Sequence, residues 1–123
     1  MLKDDLYKIQ QINEENNSIH AVIELNELHE IFKGHFPNQP VLPGACMLQM
    51  TKEILETFFN NKLQLLKADD IRFTVMVDPN ETKQLKFLIQ YKRTETQLIN
   101  ISAKILKEDE VVCYKMKAMY TIN

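Results

Sequence analysis

Residues 34–44 combine one histidine with a backbone that has little conformational freedom. This stretch reads Gly-His-Phe-Pro-Asn-Gln-Pro-Val-Leu-Pro-Gly and contains both glycines and three of the four prolines of the chain. Proline fixes φ and glycine permits sharp turns, so the stretch is predicted to form a fixed loop around His35. An imidazole with an ordinary pKa of about 6.5 can be neutral at pH 7 and accept a proton. His35 is therefore the candidate general base.

A long helix is predicted to begin directly after this loop. Pro43 suits a first helical position, and the apolar pattern continues to about Phe59, where Asn60 and Asn61 favour a left-handed end. The first amides of a helix have no partner within the helix and attract negative charge. Because a carbonyl oxygen becomes negative when a neighbouring proton is removed, such amides can stabilise the product of proton abstraction. This chemistry requires neither a metal nor an organic cofactor.

The segment before the loop is predicted to form a hairpin and a short connector helix. Residues 19–25 alternate between apolar and polar types, residues 7–13 can be their partner strand, and residues 14–18 have turn-forming composition. Leu28, Ile31 and Phe32 then have the spacing of one apolar helical stripe, which Gly34 ends.

The segment after the long helix is predicted to be all strand. Four stretches alternate between apolar and polar residues, and short turn-forming sequences join them, which predicts antiparallel pairing of neighbours. The four stretches are residues 71–77, 85–91, 99–105 and 112–120. The predicted fold class is α+β, with one long central helix wrapped by a curved antiparallel sheet in a single domain over residues 1–123.

Composition excludes several classes of function. The chain has 123 residues and a formal net charge of −2, which provides no positive field for nucleic acid. Cys46 and Cys113 match neither a disulfide framework nor a zinc-ligand spacing, so both are predicted to be reduced thiols, and Cys46 to be a packing residue. No apolar run approaches the roughly 20 residues of a membrane span, and residues 1–5 precede no secretory core. A cytoplasmic location is the expectation.

The pattern G-H-F-P-x-x-P-x-x-P-G, which residues 34–44 meet in full, resembles the motif of the 3-hydroxyacyl-[acyl carrier protein] dehydratases of bacterial fatty acid synthesis. The resemblance implies the hot dog fold of that family. It also implies that His35 abstracts the α proton of an acyl thioester, that the Gly44 amide, with Ala45 beside it, binds the thioester oxygen, and that Phe36 and Pro43 contact substrate. A homodimer with its active site between the subunits and a substrate carried on acyl carrier protein are further implications.

One position departs from the family pattern in a way that affects the chemistry. The family has a carboxylate five residues after the last glycine of the motif, and this chain has Gln49 there. A neutral amide can hydrogen-bond a hydroxyl but cannot protonate a leaving group. Glu53 lies one helical turn further along the same face. It could be the relocated catalytic acid, with a pKa raised by the apolar acyl chain, or it could belong to a solvated stripe with Gln49 and Glu56.

The leading functional hypothesis is the reversible dehydration of a 3-hydroxyacyl thioester to the trans-2-enoyl thioester. One alternative is a thioesterase on the same fold, in which a carboxylate such as Glu53 activates water. Another is a non-catalytic acyl-binding protein that kept the loop and lost the acid.

Several methionines could line an acyl channel or fill the core. They are Met47, Met50, Met76, Met116 and Met119.

Overall fold

A computed structural model describes residues 1–34 and 39–122, and within these ranges the chain forms six strands and two helices. The elements are β1 Tyr7–Glu15, β2 Ser18–Leu25, α1 Ile31–Gly34, α2 Gly44–Phe59, β3 Leu63–Phe73, β4 Gln84–Glu95, β5 Leu98–Leu106 and β6 Val112–Ile122. The strands form one antiparallel sheet in the spatial order β1-β2-β4-β5-β6-β3. The predicted arrangement of one long helix against a single antiparallel sheet is confirmed.

Helix α2 has almost the predicted bounds. It ends where Asn60 adopts a left-handed conformation with φ of 53° and donates its amide proton to the Glu56 carbonyl. One face of the helix is buried together with the inward-facing residues of the strands in a single hydrophobic core. The helix contributes Met47, Met50, Ile54 and Leu55 to this core, among others. The core therefore fixes α2 against the sheet along most of its length.

The first hairpin is confirmed, but its turn is tighter than predicted. Strands β1 and β2 pair from Tyr7–Leu25 to Glu15–Ser18, so only two residues form the turn. These are Asn16 and Asn17, with φ of 51° and 62°. Asparagine tolerates positive φ, which a two-residue turn of this kind requires at both positions.

The prediction for the third strand is wrong in its bounds and in its partner. Strand β3 begins at Leu63, eight residues before the predicted start, and it pairs with β6. Its register shifts between Leu65 and Lys67 and again between Asp69 and Arg72. Such bulges place an extra residue on one strand, which removes the regular alternation that would have marked the strand.

The connection after β3 is a crossover and not a hairpin. The predicted pairing between residues 71–77 and 85–91 does not occur, because β4 lies between β2 and β5. The Asp78 carbonyl accepts hydrogen bonds from the amides of Glu81 and Thr82, which forms a local turn inside the crossing segment. Strand β3 is consequently left at the edge of the sheet.

The connector helix is shorter than the predicted stripe. Helix α1 covers only four residues, and Leu28 lies before it with 80% of its surface exposed. The Asn26 side chain accepts a hydrogen bond from the Leu28 amide, and this local turn competes with helix formation.

Both cysteines are buried and unpaired, as predicted. No helix in residues 1–34 and 39–122 is long and apolar enough to cross a membrane.

Candidate functional site

The start of α2 has backbone amides without an acceptor inside the helix. Pro43 precedes the helix in an extended conformation, and within the described ranges no side chain caps this end. The amides of Cys46 and Met47 donate to the Pro43 carbonyl. Those of Gly44 and Ala45 come earlier and have no acceptor within the helix. Two donors at the positive end of a long helix can bind a developing negative oxygen.

Gly44 allows an aromatic ring to lie against this helix start. A Cβ atom at Gly44 would lie 2.4 Å from Cε1 and 2.5 Å from Cζ of Phe73, so no side chain fits there without displacing the ring. Phe73 is the last residue of β3, and its ring centroid is 5.3 Å from that of Tyr114. The prediction placed Phe73 in an alternating strand but gave it no place at the site. The close approach links the edge strand to the candidate oxyanion donors.

A mostly apolar cavity of about 250 Å³ opens beside the same helix start. Its walls include the predicted residues Pro43, Gly44, Met47 and Met76, together with Phe73. Met50 and Met116 are instead buried in the core. A larger cleft of about 510 Å³ lies elsewhere, has several acidic residues in its walls and contains none of the predicted site residues. The smaller cavity is therefore the candidate place for an acyl group.

Glu53 is completely buried and accepts four hydrogen bonds. Its Oε1 atom receives the Lys3 amide at 2.8 Å and the Tyr7 hydroxyl at 2.9 Å. Its Oε2 atom receives the Leu2 amide at 2.9 Å and the Gln49 side-chain nitrogen at 2.8 Å. The carboxylate thus joins three parts of the fold: the first residues of the chain, strand β1 and helix α2.

The expected environment of Glu53 is wrong on two points. Burial by itself raises the pKa of the carboxyl, but the four hydrogen bonds outweigh burial and hold the pKa below its usual value. The expected rise in pKa is therefore not found. The solvated stripe is not found either, because Glu53 is buried and Glu56, half-buried, accepts the Leu63 amide. The lowered pKa favours the ionised form of Glu53 at neutral pH, and both of its oxygens accept hydrogen bonds.

Gln49 is half-buried, and among the predicted site residues that the structure describes it is the one that hydrogen-bonds Glu53. An ionised carboxylate only accepts hydrogen bonds, so the Gln49 amide must turn its NH₂ group toward Glu53. Its carbonyl oxygen then points away from Glu53. Within the described ranges, that oxygen accepts no hydrogen bond from another residue.

The other predicted residues fall into two groups. Pro43 lies at the cavity and Ala45 is exposed beside it, whereas His35 and Phe36 lie outside the described residues. Burial and the nearby Glu53 charge raise the pKa of the Cys46 thiol, which agrees with a packing role. Tyr7 and the amides of Leu2 and Lys3 were missed as partners of Glu53. The one available signal was the position of Glu53 among the apolar residues Met50, Ile54 and Leu55.

One long helix packed against a single antiparallel sheet is the arrangement of the hot dog fold. The model of the ApeI-like family, described as ApeI dehydratase, matches residues 11–115, and the chain belongs to this family. A 3-hydroxyacyl-[acyl-carrier-protein] dehydratase FabZ from Pseudoalteromonas translucida is 30% identical over 105 residues, covering 78% of this chain and 69% of the relative.

Solved structures confirm the hot dog fold. The dehydratase heterocomplex ApeI:P from Xenorhabdus doucetiae matches with a TM-score of 0.71 and 16% identity, covering 92% of this chain and 96% of that one. A thioesterase from Haemophilus influenzae matches with a TM-score of 0.66 and 10% identity, covering 97% of this chain and 80% of that one. The same architecture therefore occurs in proteins described as dehydratases and as thioesterases.

Gly44→Ala is expected to destabilise the protein, because the added Cβ must displace the Phe73 ring. Overpacking of this kind costs about 1–3 kcal/mol in the free energy of unfolding, measured by urea denaturation. Gly34→Ala is the matched control, since a Cβ there meets nothing within 4 Å. Phe73→Ala in the Gly44→Ala background should recover part of the loss. Equal effects of the two glycine substitutions would contradict the close packing.

Glu53→Gln is expected to lower the free energy of unfolding at pH 7 by about 1–3 kcal/mol, because a neutral amide cannot accept all four hydrogen bonds. A lowered native pKa stabilises the fold above the unfolded pKa, near 4.5, and this contribution is lost as the pH falls through the native value. The difference between wild type and variant should therefore shrink below pH 4.5, as measured by urea denaturation across pH. A difference that stays constant down to pH 3 would show that the native pKa is not lowered.

Proposed function

We propose that the chain catalyses the reversible dehydration of a 3-hydroxyacyl thioester, delivered on acyl carrier protein, to the trans-2-enoyl thioester. The observation that carries this proposal is the pair of amides at Gly44 and Ala45, which have no acceptor within the helix, lie beside an apolar cavity and follow the histidine loop directly in sequence. Membership of a dehydratase family and the FabZ relative support the same reaction class.

In the proposed reaction, the neutral imidazole of His35 removes the α proton of the thioester. The electron pair of the broken C–H bond moves into the carbonyl, and the amides of Gly44 and Ala45 stabilise the negative oxygen. The bond between C3 and its hydroxyl oxygen then breaks as the double bond forms. The leaving oxygen needs a proton, and the imidazolium of His35 is the donor that the first step has just charged.

Gln49 and Glu53 have different roles in this scheme. The Gln49 carbonyl oxygen accepts a hydrogen bond from the 3-hydroxyl group, which orients the leaving oxygen. Glu53 is not assigned as the acid, because its carboxylate is ionised and both oxygens are occupied. The thioesterase alternative loses support for the same reason, since the engaged Glu53 carboxylate is a poor activator of water.

A second candidate function is binding of an acyl thioester without turnover. It is favoured by the neutral amide at position 49 and by the engagement of Glu53 in the fold. In that case Gln49→Glu should create activity that the wild type lacks. The new carboxyl would face the Glu53 charge, which raises its pKa and favours the protonated form needed to donate a proton.

His35→Ala is expected to lower the rate of enoyl-thioester hydration by about 10² to 10⁴, because the general base is lost. His20→Ala is the control, since His20 is exposed on β2. The measurement is hydration of a trans-2-enoyl thioester, with release of free thiol followed in parallel. Full activity in a folded His35→Ala variant would refute the mechanism, whereas thiol release that depends on His35 would support the thioesterase.

The chain is also proposed to assemble as a homodimer through the β3 edge. Among residues 1–34 and 39–122, no strand pairs with the outer side of β3, and an unpaired strand edge is a ready template for another chain. Large apolar side chains are exposed at the end of this strand and just after it. They are Ile71, Phe73, Val75 and Met76. The ApeI:P heterocomplex makes a non-identical partner chain the second possibility.

Met76→Glu is expected to shift the wild-type dimer toward monomer, because a charge would be buried in the apolar interface. Leu28→Glu is the control, since Leu28 is also a large apolar residue and is even more exposed, at 80% against 61% for Met76, but lies before α1. Sedimentation at micromolar concentration measures both variants. An obligate interface should bury more than about 2,000 Å² in total. A wild type that is monomeric alone would contradict the homodimer, and dimerisation only with a second hot dog chain would support the heterocomplex.

A further inference from the structure

We infer that the outer face of the sheet carries a binding site for a small multivalent phosphate ligand, held by four positively charged side chains. They are Arg72 of β3, Lys104 of β5, and Lys115 and Lys117 of β6. The site shares no wall residue with the cavity beside Gly44. It is therefore independent of the proposed dehydratase reaction.

Strand pairing places three of these side chains next to one another in one row. Lys104 pairs with Lys115 across β5 and β6, and Lys115 pairs with Arg72 across β6 and β3. Directly paired residues point to the same face of a sheet. All three are exposed, whereas Ala103 and Met116, their neighbours along the strands, are buried in the core. The row therefore lies on the outer face of the sheet, away from helix α2.

A bulge in β3 brings Arg72 to this face. The register of β3 against β6 shifts just before Arg72, where Asp70 has φ of 51°. Without the extra residue, Ile71 would pair with Lys115 and Arg72 would point toward the core, because successive side chains of a strand alternate between faces. Bulges commonly re-aim a side chain in this way. The positive row therefore depends on a specific irregularity of the strand.

The four charges are not neutralised by salt bridges in the described part of the chain. None of them forms one among residues 1–34 and 39–122. On the neighbouring strand β4, by contrast, Lys86 Nζ lies 3.0 Å from Glu110 Oε1. Like charges that are directly opposite in a sheet repel each other and destabilise it. Since the whole chain has a net charge of −2, the row does not reflect a general excess of basic residues.

A cavity of about 290 Å³ opens between these side chains. Besides the four positive charges, its walls contain one negative charge, from Asp70, and the Ser102 hydroxyl. A guanidinium presents a planar set of donors and an ammonium presents a compact charge, and both groups bind phosphate oxygens. The hydroxyl adds a further donor. A concave space of this size favours a compact anion, such as pyrophosphate, over the surface of an acidic protein.

The proposed dimer leaves this face open. A second β3 strand would pair through backbone groups in the plane of the sheet, whereas the Arg72 side chain points out of that plane. Anion binding can therefore be measured on the intact protein in whichever assembly the wild type forms.

The test is calorimetric titration with pyrophosphate at about 0.15 M sodium chloride, which screens long-range attraction. Wild type should bind saturably, with a Kd of about 1 mM or tighter. Lys104→Gln and Lys115→Gln should each weaken binding roughly fivefold, because each removes one exposed charge contact. Arg72→Lys should weaken it too, because the charge stays but the planar donors are lost. Lys86→Gln is the matched control: it removes the same charge on β4, outside the cavity walls, and should keep the wild-type Kd.

Unfolding by urea provides a second readout. Pyrophosphate should raise the urea midpoint of wild type, because a ligand that binds the native state stabilises it, and it should raise the midpoint of Lys115→Gln much less. Without pyrophosphate, Lys115→Gln should unfold at the same or a higher urea concentration than wild type, since repulsion within the row is reduced. A Kd unchanged in Lys104→Gln and Lys115→Gln would overturn the inference, and so would equal weakening by Lys86→Gln.

Vesicles of phosphatidylcholine that contain phosphatidic acid distinguish a free ligand from a lipid headgroup. Pyrophosphate binding without retention on these vesicles would support the site with a free phosphate ligand. Retention that pyrophosphate reverses would support the same site with a phosphate headgroup as its source. Retention without any pyrophosphate binding would overturn the inference, because it would show a charged face with no site for a compact anion. Absence of binding to both probes would overturn it as well.

Discussion

The burial of one negative charge constrains much of this structure. Glu53 has no solvent contact, and its stabilisation comes from four neutral donors, with no positively charged side chain among them. Removing a carboxylate from water costs several kcal/mol unless every lone-pair direction is used. The start of the chain, Tyr7 of β1 and Gln49 of α2 must therefore all keep their places for the charge to be tolerated. The Glu53 carboxylate therefore connects the first residues of the chain, strand β1 and helix α2 by hydrogen bonds.

This constraint also decides what the helix can offer to a reaction. The motif that residues 34–44 resemble is followed by a carboxylate at the position of Gln49, whereas the carboxylate of this chain lies one turn further along α2, at Glu53. The two placements are not equivalent in chemical terms. At position 53 the carboxylate accepts hydrogen bonds from the fold at both oxygens, whereas at position 49 the amide oxygen accepts none from the residues that the structure describes. In the proposed reaction, the groups that act on the substrate are the loop histidine and the amides at the helix start. A dehydratase with these groups would use one histidine for both proton transfers, and a binding protein would need no proton transfer.

The sequence predicted the parts of the fold that depend on local patterns. The bounds of α2 followed from Pro43 and Asn60, and the regular alternation of β2, β4, β5 and β6 located those strands. Strand β3 was misplaced because its two bulges, with Asp70 at φ of 51°, interrupt the period of two. The crossover that follows was missed because strand pairing depends on contacts between distant segments.

The candidate site was predictable to the same limited degree. Gly44 and Pro43 belong to a continuous motif, so their place at the start of a helix could be read directly. The state of Glu53 could not, because its donors Leu2, Lys3 and Tyr7 are between 46 and 51 residues away along the chain. Phe73 was predicted to lie in a strand, but its contact with Gly44 could not be predicted. That contact depends on the pairing of β3 with β6, which joins segments distant in sequence. The sequence therefore predicted which groups begin the helix, but it did not predict the burial or the hydrogen bonds that set the pKa of Glu53.

The most direct test of this account is the titration of the Glu53 carboxyl carbon by carbon-13 NMR in the intact protein, with Glu53→Gln used to assign the signal. The account predicts that Glu53 stays ionised at neutral pH and gains its proton only below pH 4.5, because four donors hold the charged form. A midpoint above that value would mean that the carboxyl is available as an acid, and it would contradict the assignment of Glu53 to the fold.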